Sequence, residues 1–90
     1  MNRIYLDARR ILDRESMAEY MKQQLPLPDY FGGNLDALAD CLSELDEDTE
    51  FWISRTDMER ISIWDYAWKT MCVLTSQAAE NPHIRIRLER

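Results

Sequence analysis

The stretch Ile84-Arg85-Ile86-Arg87-Leu88 decides the fold, because apolar and charged residues alternate along its whole length. An extended strand places successive side chains on opposite faces, so this pattern predicts a β-strand with one buried face and one face in water. A sheet that is wet on one side needs helices only on the other side. The stretch therefore indicates a domain of two layers.

Two earlier segments supply the other strands. Residues 3–6 place Ile4 and Leu6 on one face, and residues 50–53 are typical of a buried strand. Helical patterns separate the three strands, and parallel strands require crossover connections of that kind. The sequence thus predicts one α/β domain over residues 1–90, with two layers, a three-stranded parallel sheet and three to four helices.

The first helix is expected to begin at Ser16, because Ser16 and Glu19 have the spacing of a capping box. Proline has no backbone N–H to donate, so the Leu-Pro-Leu-Pro segment at 25–28 ends this helix. Four residues at helical spacing form its predicted buried stripe: Met17, Tyr20, Met21 and Leu25.

A second helix is predicted from Leu35 to about Leu45, with Asn34 as its N-cap. The loop before it, residues 29–33, ends in two glycines, which adopt backbone conformations closed to other residues. The predicted apolar face of this helix consists of Leu35, Leu38, Cys41, Leu42 and Leu45. A different face carries Asp36, Ala39, Asp40 and Ser43.

The longest helix is predicted to begin at residue 63 or 64 and to end at residue 80. Ser62 and Asp65 repeat the capping-box spacing at its start, and Pro82 stops it. A short helical turn over residues 56–61 precedes it. The predicted buried stripe of this helix consists of Trp64, Trp68, Met71, Cys72, Thr75, Ala78 and Ala79.

The composition is that of a folded domain. With 46% apolar residues, two glycines and three prolines, the 90-residue chain is neither disordered nor fibrous. No apolar run approaches the roughly 18 residues of a membrane span, and none has the form of a signal peptide. Two cysteines in such a chain indicate buried thiols in a reducing compartment. We therefore expect a cytoplasmic protein that binds no membrane.

Charge is distributed unevenly along the chain. Acidic residues outnumber basic residues by 17 to 11, and the net charge of −6 argues against nucleic-acid binding and favours a basic partner. No Lys or Arg lies between Lys22 and Arg55. That window, the acidic block, holds Asp29, Asp36, Asp40, Glu44, Asp46, Glu47, Asp48 and Glu50. Such a block is either solvated surface or an electrostatic attraction for a cationic partner.

Few residues suit catalysis or metal binding. The single histidine, His83, lies between a helix end and a strand. Cys41 and Cys72 fall within predicted apolar stripes, where a thiol without a basic neighbour is inert. The sequence has no CxxC or HExxH spacing and no glycine-rich phosphate loop. We expect a protein that is no enzyme and takes no cofactor or metal.

Asp36 and Asp40 stand four residues apart, so both carboxylates share one helix face despite a like-charge repulsion of about 0.2–0.5 kcal/mol. The pair is either solubilising surface or a preorganised acceptor for the arginines of a partner. Tyr30 and Phe31, just before the helix, favour an interface, since aromatic residues anchor many protein contacts. Phe31 has no polar group and is equally suited to the core.

Residues 25–42, LPLPDYFGGNLDALADCL, resemble the barstar family of ribonuclease inhibitors. The shared pattern is a proline, an acid, two aromatics and a glycine, followed by Asn-Leu-Asp-Ala-Leu and Asp-Cys-Leu. The resemblance implies a cytoplasmic inhibitor without enzyme activity. In that family the second helix and the loop before it plug the active site of a basic, barnase-type ribonuclease. We expect such a nuclease or a toxin nuclease as the partner, and a monomer when free.

The resemblance also implies roles for single residues. Asp40 is expected to mimic an RNA phosphate, with Asp36 beside it, and Tyr30 to pack on the nuclease. The rest of the expected contact surface consists of Phe31, Asn34, Leu35, Ala39, Ser43 and Glu44.

Four positions depart from the family pattern. Ala39 stands where the best-known member has a large aromatic residue, and Phe31 replaces a second tyrosine. Gly33 and Ser76 stand where acids are expected. These departures favour a related nuclease or a toxin domain over barnase itself. They leave open a non-inhibitory adaptor with the same fold that binds another basic protein, and a small-ligand or metal-dependent enzyme as a further alternative.

Overall fold

The structure, a computed structural model, describes residues 1–29 and 31–89. Its elements follow one another as β1 (Asn2–Leu6), α1 (Arg14–Gln24), α2 (Leu35–Ser43), β2 (Thr49–Ser54), α3 (Arg55–Arg60), α4 (Asp65–Glu80) and β3 (Ile84–Glu89). Short 3-10 turns lie at Ala8–Arg10 and Ile61–Ile63. Helices therefore separate each strand from the next.

The three strands form one parallel sheet in the order β1-β2-β3. In its register Ile4 lies beside Phe51 and Phe51 beside Ile86, so one face of the sheet carries a continuous apolar row. The buried residues of α1, α2 and α4 share a hydrophobic core with this face. The predicted α/β fold with a three-stranded parallel sheet is confirmed.

The core is closed by large apolar side chains from both layers. Those that are almost completely buried include Met17, Met21, Leu38, Leu42, Phe51, Ile53 and Leu74. Among the helices of the described ranges, none is long and apolar enough to cross a membrane.

Burial along β3 decreases from its first residue to its last. Ile84 is buried, Ile86 is half-buried, and 52% of Leu88 is exposed. This strand lies at one edge of the sheet. The alternation therefore predicts the strand correctly, but its buried face only at the start.

The first helix begins earlier than predicted. Its N-cap is Asp13, whose Oδ1 accepts a hydrogen bond from the Ser16 N–H at 2.8 Å. Ser16 completes the capping box, because its Oγ accepts from the Asp13 N–H at 3.0 Å. The bond from the Ser16 backbone holds the pKa of the Asp13 carboxyl below its usual value. Ser16 was wrongly predicted as the cap because Asp13 and Ser16 have the same spacing as Ser16 and Glu19.

The longest helix is rotated about its axis relative to the prediction. No side chain caps its first residue, so the expected capping box of Ser62 and Asp65 does not form. The helix buries a row of mostly smaller side chains, Ala67, Thr70, Met71 and Leu74. Four members of the predicted stripe are exposed instead: Trp68, Cys72, Thr75 and Ala79. Small side chains let α4 lie close to the core, where an indole would hold it away.

Candidate functional site

The loop before α2 is shaped by one glycine and one buried ring. Gly33 has a φ of +73°, a left-handed conformation that strains residues with a side chain. Phe31 is only 8% exposed and belongs to the hydrophobic core, so its ring fixes the loop from inside. Phe31 therefore offers little surface to a partner, and its expected contact stays a prediction. Tyr30, the other expected aromatic, lies outside the described residues.

The start of α2 is fixed by Asn34, as predicted. The Asn34 Oδ1 accepts a hydrogen bond from the Ala37 N–H at 2.7 Å, which satisfies one of the free donors of the first turn. Leu38 and Leu42 are fully buried and hold one side of the helix against the core. The opposite side is therefore presented on a rigid support.

The end of α2 is held by Asn81, the C-cap residue of α4. Asn81 is 7% exposed, and its Nδ2 donates to the backbone oxygens of Leu42 at 3.0 Å and Leu45 at 3.1 Å. Its Oδ1 accepts from the His83 N–H at 2.9 Å. The helix ends at Ser43, two residues earlier than predicted, and Glu44 is its C-cap. No local pattern marks a hydrogen bond between residues so far apart in the chain.

The outward side of α2 carries the predicted carboxylate pair. Asp36 and Asp40 are exposed one turn apart, and within residues 1–29 and 31–89 no ion pair includes either of them. Leu35 and Ala39 lie one turn apart beside this pair, and both are half-buried. Ser43 is exposed, and its hydroxyl donates to the Asp40 backbone oxygen at 2.7 Å. The structure thus brings these predicted residues onto one surface.

The later part of the acidic block is bonded to the chain itself. A carboxylate oxygen of Glu47 accepts from the Asn2 Nδ2 at 3.1 Å. The Asp48 carboxylate lies 3.0 Å from the His83 Nδ1, and this hydrogen bond holds the pKa of Asp48 below its usual value. These acids therefore tie the start of the sheet together.

Glu50 is the most buried member of the acidic block, with 6% of its surface exposed. Its two carboxylate oxygens lie 3.5 Å from the Nε of Arg3 and 3.5 Å from the Nε of Arg87, which belong to the strands on either side. The Trp52 Nε1 donates to the same carboxylate at 3.1 Å. Glu50 therefore cross-links all three strands and contributes nothing to the exposed acidic surface.

A small cleft of about 320 Å³ borders the end of α2. It is lined by the segment 25–28 and by Cys41, Glu44 and Leu45, among others. Burial raises the pKa of the Cys41 thiol, and the nearby carboxylates of Glu44 and Asp40 add to this effect, so the thiol is a poor nucleophile. In the described part of the chain, no three side chains of His, Cys, Asp or Glu are placed to hold a metal ion.

Two comparisons with known proteins show what this chain is similar to. A family model described as Barstar (barnase inhibitor) matches residues 1–83. A protein of Bacillus subtilis (strain 168) named "Putative ribonuclease inhibitor YrdF" is 44% identical to this chain over 43 residues. That match covers 48% of this chain and 47% of the relative, so it spans about half the length of each.

Proposed function

Because this chain belongs to the barstar family, we propose that it inhibits a basic ribonuclease by covering the enzyme's active site. The family model, which matches residues 1–83, confirms the resemblance of residues 25–42 to that family. In this proposal α2 and the loop before it act as a decoy for RNA, with negative oxygens placed where RNA phosphates bind. Catalysis by this chain is no part of the mechanism.

The observation that carries the proposal is the pair Asp36 and Asp40. Their carboxylates are exposed on adjacent turns of a helix that is fixed at both ends and anchored by buried leucines. Arginine binds carboxylate and phosphate through the same paired hydrogen bonds. A rigid carboxylate pair is therefore suited to the cationic groups with which a ribonuclease holds its substrate.

The surface around the pair extends the contact. We assign to the partner the exposed atoms of α2 and its caps: Asn34, Leu35, Asp36, Ala39, Asp40, Ser43 and Glu44. The family resemblance adds Tyr30. Leu35 and Ala39 supply apolar area beside the charges, and an interface needs such area to exclude water around its charged contacts.

The small side chain at position 39 defines the kind of target. An alanine in the middle of the contact surface leaves room that a large aromatic residue would fill. We infer that the target has a differently shaped cleft from barnase, as in a related ribonuclease or a toxin nuclease domain. The chain would then act as an immunity protein that protects cellular RNA in the cytoplasm.

The test is a binding titration against a panel of barnase-type ribonucleases and toxin nuclease domains at two salt concentrations. We expect one member to bind tightly, with an association rate that falls as salt rises, because attraction between exposed charges is screened. Asp40→Ala should weaken binding at least about thirtyfold, the equivalent of about 2 kcal/mol.

The matched control is Glu15→Ala, which removes the same charge from the first turn of a different helix and should leave the affinity unchanged. Circular dichroism should show both variants folded, because replacing an exposed helix residue has little effect on stability. If Asp40→Ala binds as tightly as the wild type, the decoy surface is wrong. If no nuclease binds but another basic protein binds through Asp36 and Asp40, the chain is an adaptor.

A further inference from the structure

The exposed side of α4 forms an apolar stripe that the fold leaves uncovered. Trp68 is 46% exposed, and Cys72, Thr75 and Ala79 are exposed at spacings of four, three and four residues. Residues at these spacings lie one above another on a helix. The stripe is part of the one that the sequence pattern predicted to be buried, and the ribonuclease surface proposed on α2 does not use it.

The neighbouring strand continues this stripe. A groove beside α4 is lined by Thr75, Ala78, Ala79 and residues 84–87, so the helix and β3 share a surface. Ile86 and Leu88 face the helix layer of the sheet, since they alternate with Arg85 and Arg87 and share the register row of core residues. Leu88 is nevertheless 52% exposed.

The exposed side chains Trp68 on α4 and Leu88 on β3 are placed near each other by the geometry of the two elements. The chain runs in opposite directions along α4 and β3. Each residue advances it by about 1.5 Å along the helix and by about 3.3 Å along the strand. Ala79 lies beside the start of β3, so Trp68, eleven residues back, is placed near Leu88 at its end. We call Trp68, Cys72, Thr75, Ala79, Ile86 and Leu88 the α4–β3 surface.

We propose that a second copy of this chain covers the α4–β3 surface, with the two β3 strands paired antiparallel about a two-fold axis at Arg87. The edge of β3 that faces away from β2 has backbone groups open to such pairing. The sheet then has six strands, and the apolar stripes of the two α4 helices meet beside it. Symmetric pairing of one patch with itself is the commonest form of protein dimer.

Charge complementarity selects this occupant and this register. With Arg87 on the axis, Arg85 of each copy lies opposite Glu89 of the other copy. Ile86 of each copy likewise lies opposite Leu88 of the other copy. Opposite charges and apolar residues across neighbouring strands both stabilise pairing. The two Arg87 side chains at the axis are already paired with Glu50 in their own copies. The sequence predicts a monomer when free, and sedimentation of the free chain decides between that expectation and the dimer.

The experiment is sedimentation equilibrium of the free chain over a wide range of concentration. We expect a reversible change between the mass of one chain and twice that mass. Leu88→Lys should shift the chain to the smaller mass at every concentration. Leu12→Lys places the same charge at a leucine that is 63% exposed but outside this surface, and should leave the dimer intact.

A charge exchange tests the register itself. Arg85→Glu alone and Glu89→Arg alone should each weaken the dimer at least tenfold, because each opposes like charges across the axis. The double exchange should restore it, since the opposite charges are then paired again. Circular dichroism of each variant separates lost pairing from lost folding.

A chain that has the mass of one copy at every concentration overturns the proposal, as does a dimer that is unchanged by Leu88→Lys. A dimer that is weakened by Leu88→Lys but not rescued by the double exchange overturns the register. The ribonuclease titration is independent of these outcomes, because Asp36 and Asp40 lie on α2.

Discussion

Both parts of the acidic block are negatively charged, but one part is bonded to its own chain and the other part is exposed to solvent. On α2, Asp36 and Asp40 are exposed, and the described residues hold them in no ion pair. Around the start of β2, Glu47, Asp48 and Glu50 are bonded to the chain itself, Glu50 with almost no exposure. Acids bonded within the fold stabilise it, whereas acids without internal partners are free to bind another molecule.

The largest effect on stability is expected at Glu50. Glu50→Ala leaves Arg3, Arg87 and the Trp52 N–H without their shared acceptor, so the free energy of unfolding should fall by about 2 kcal/mol. Denaturant unfolding measures this change. The affinity for the nuclease should not change, because Glu50 is absent from the exposed acidic surface.

Glu50→Gln is the control for this prediction. The amide oxygen still accepts from the Trp52 N–H but has no charge for the arginines, so the loss should be intermediate. A Glu50→Ala variant that is as stable as the wild type would show that the arginine cross-link contributes nothing. A Glu50→Ala variant that is stable but binds the nuclease weakly would erase the distinction between the two parts of the block.

A smaller effect is expected at the cap of α2. Asn34→Ala removes the acceptor for the Ala37 N–H, and thermal or denaturant unfolding should show a loss of about 1 kcal/mol. Asn34→Asp keeps the acceptor and adds a charge that the helix N-terminus favours, so it should retain the stability. If Asn34→Asp is as unstable as Asn34→Ala, the cap bond is not what fixes the helix.

The distinction between bonded and free acids lies beyond what the sequence shows. Asp36, Asp40 and Glu50 belong to the same run of acids, and composition treats them alike. Only the pairing of β2 with both neighbours places Arg3 and Arg87 beside Glu50. The exposure of the α2 pair follows from local helix spacing, and could therefore be predicted.

In the fold, too, two features that depend on local sequence are predicted correctly, whereas two that depend on tertiary contacts are not. The Asn34 cap and the strand at residues 84–88 are local patterns, and both are predicted correctly. The buried face of α4 is not, because its sequence holds two overlapping apolar stripes. Hydrophobicity alone favours the stripe with Trp68, whereas close packing selects the one with Ala67 and Thr70. The Asn81 bonds to α2 depend on tertiary contact and have no local signal.

Acid should weaken the contact between Asp48 and His83 within the bonded part of the block. Its folded pKa lies below the usual value of 3.8, chiefly because of the hydrogen bond with His83. A lowered pKa contributes stability that is present above the unfolded pKa and lost as the pH falls through the folded pKa. Unfolding measured from pH 5 downward should therefore show a loss of stability below about pH 4 that His83→Ala reduces. An unchanged acid profile in His83→Ala would contradict this role.

The smallest effect, with the opposite sign, is expected at the free pair. Asp40→Asn removes the repulsion between carboxylates one turn apart, so the free energy of unfolding should rise by about 0.2–0.5 kcal/mol. Asp36→Asn should give less, because the helix N-terminus favours a negative charge in the first turn. Denaturant unfolding at low and high salt measures both gains, and salt should remove them. The same Asp40→Asn change should weaken nuclease binding. A variant that lost stability and binding together would place Asp40 among the acids that hold the fold, and the two parts of the block would no longer differ.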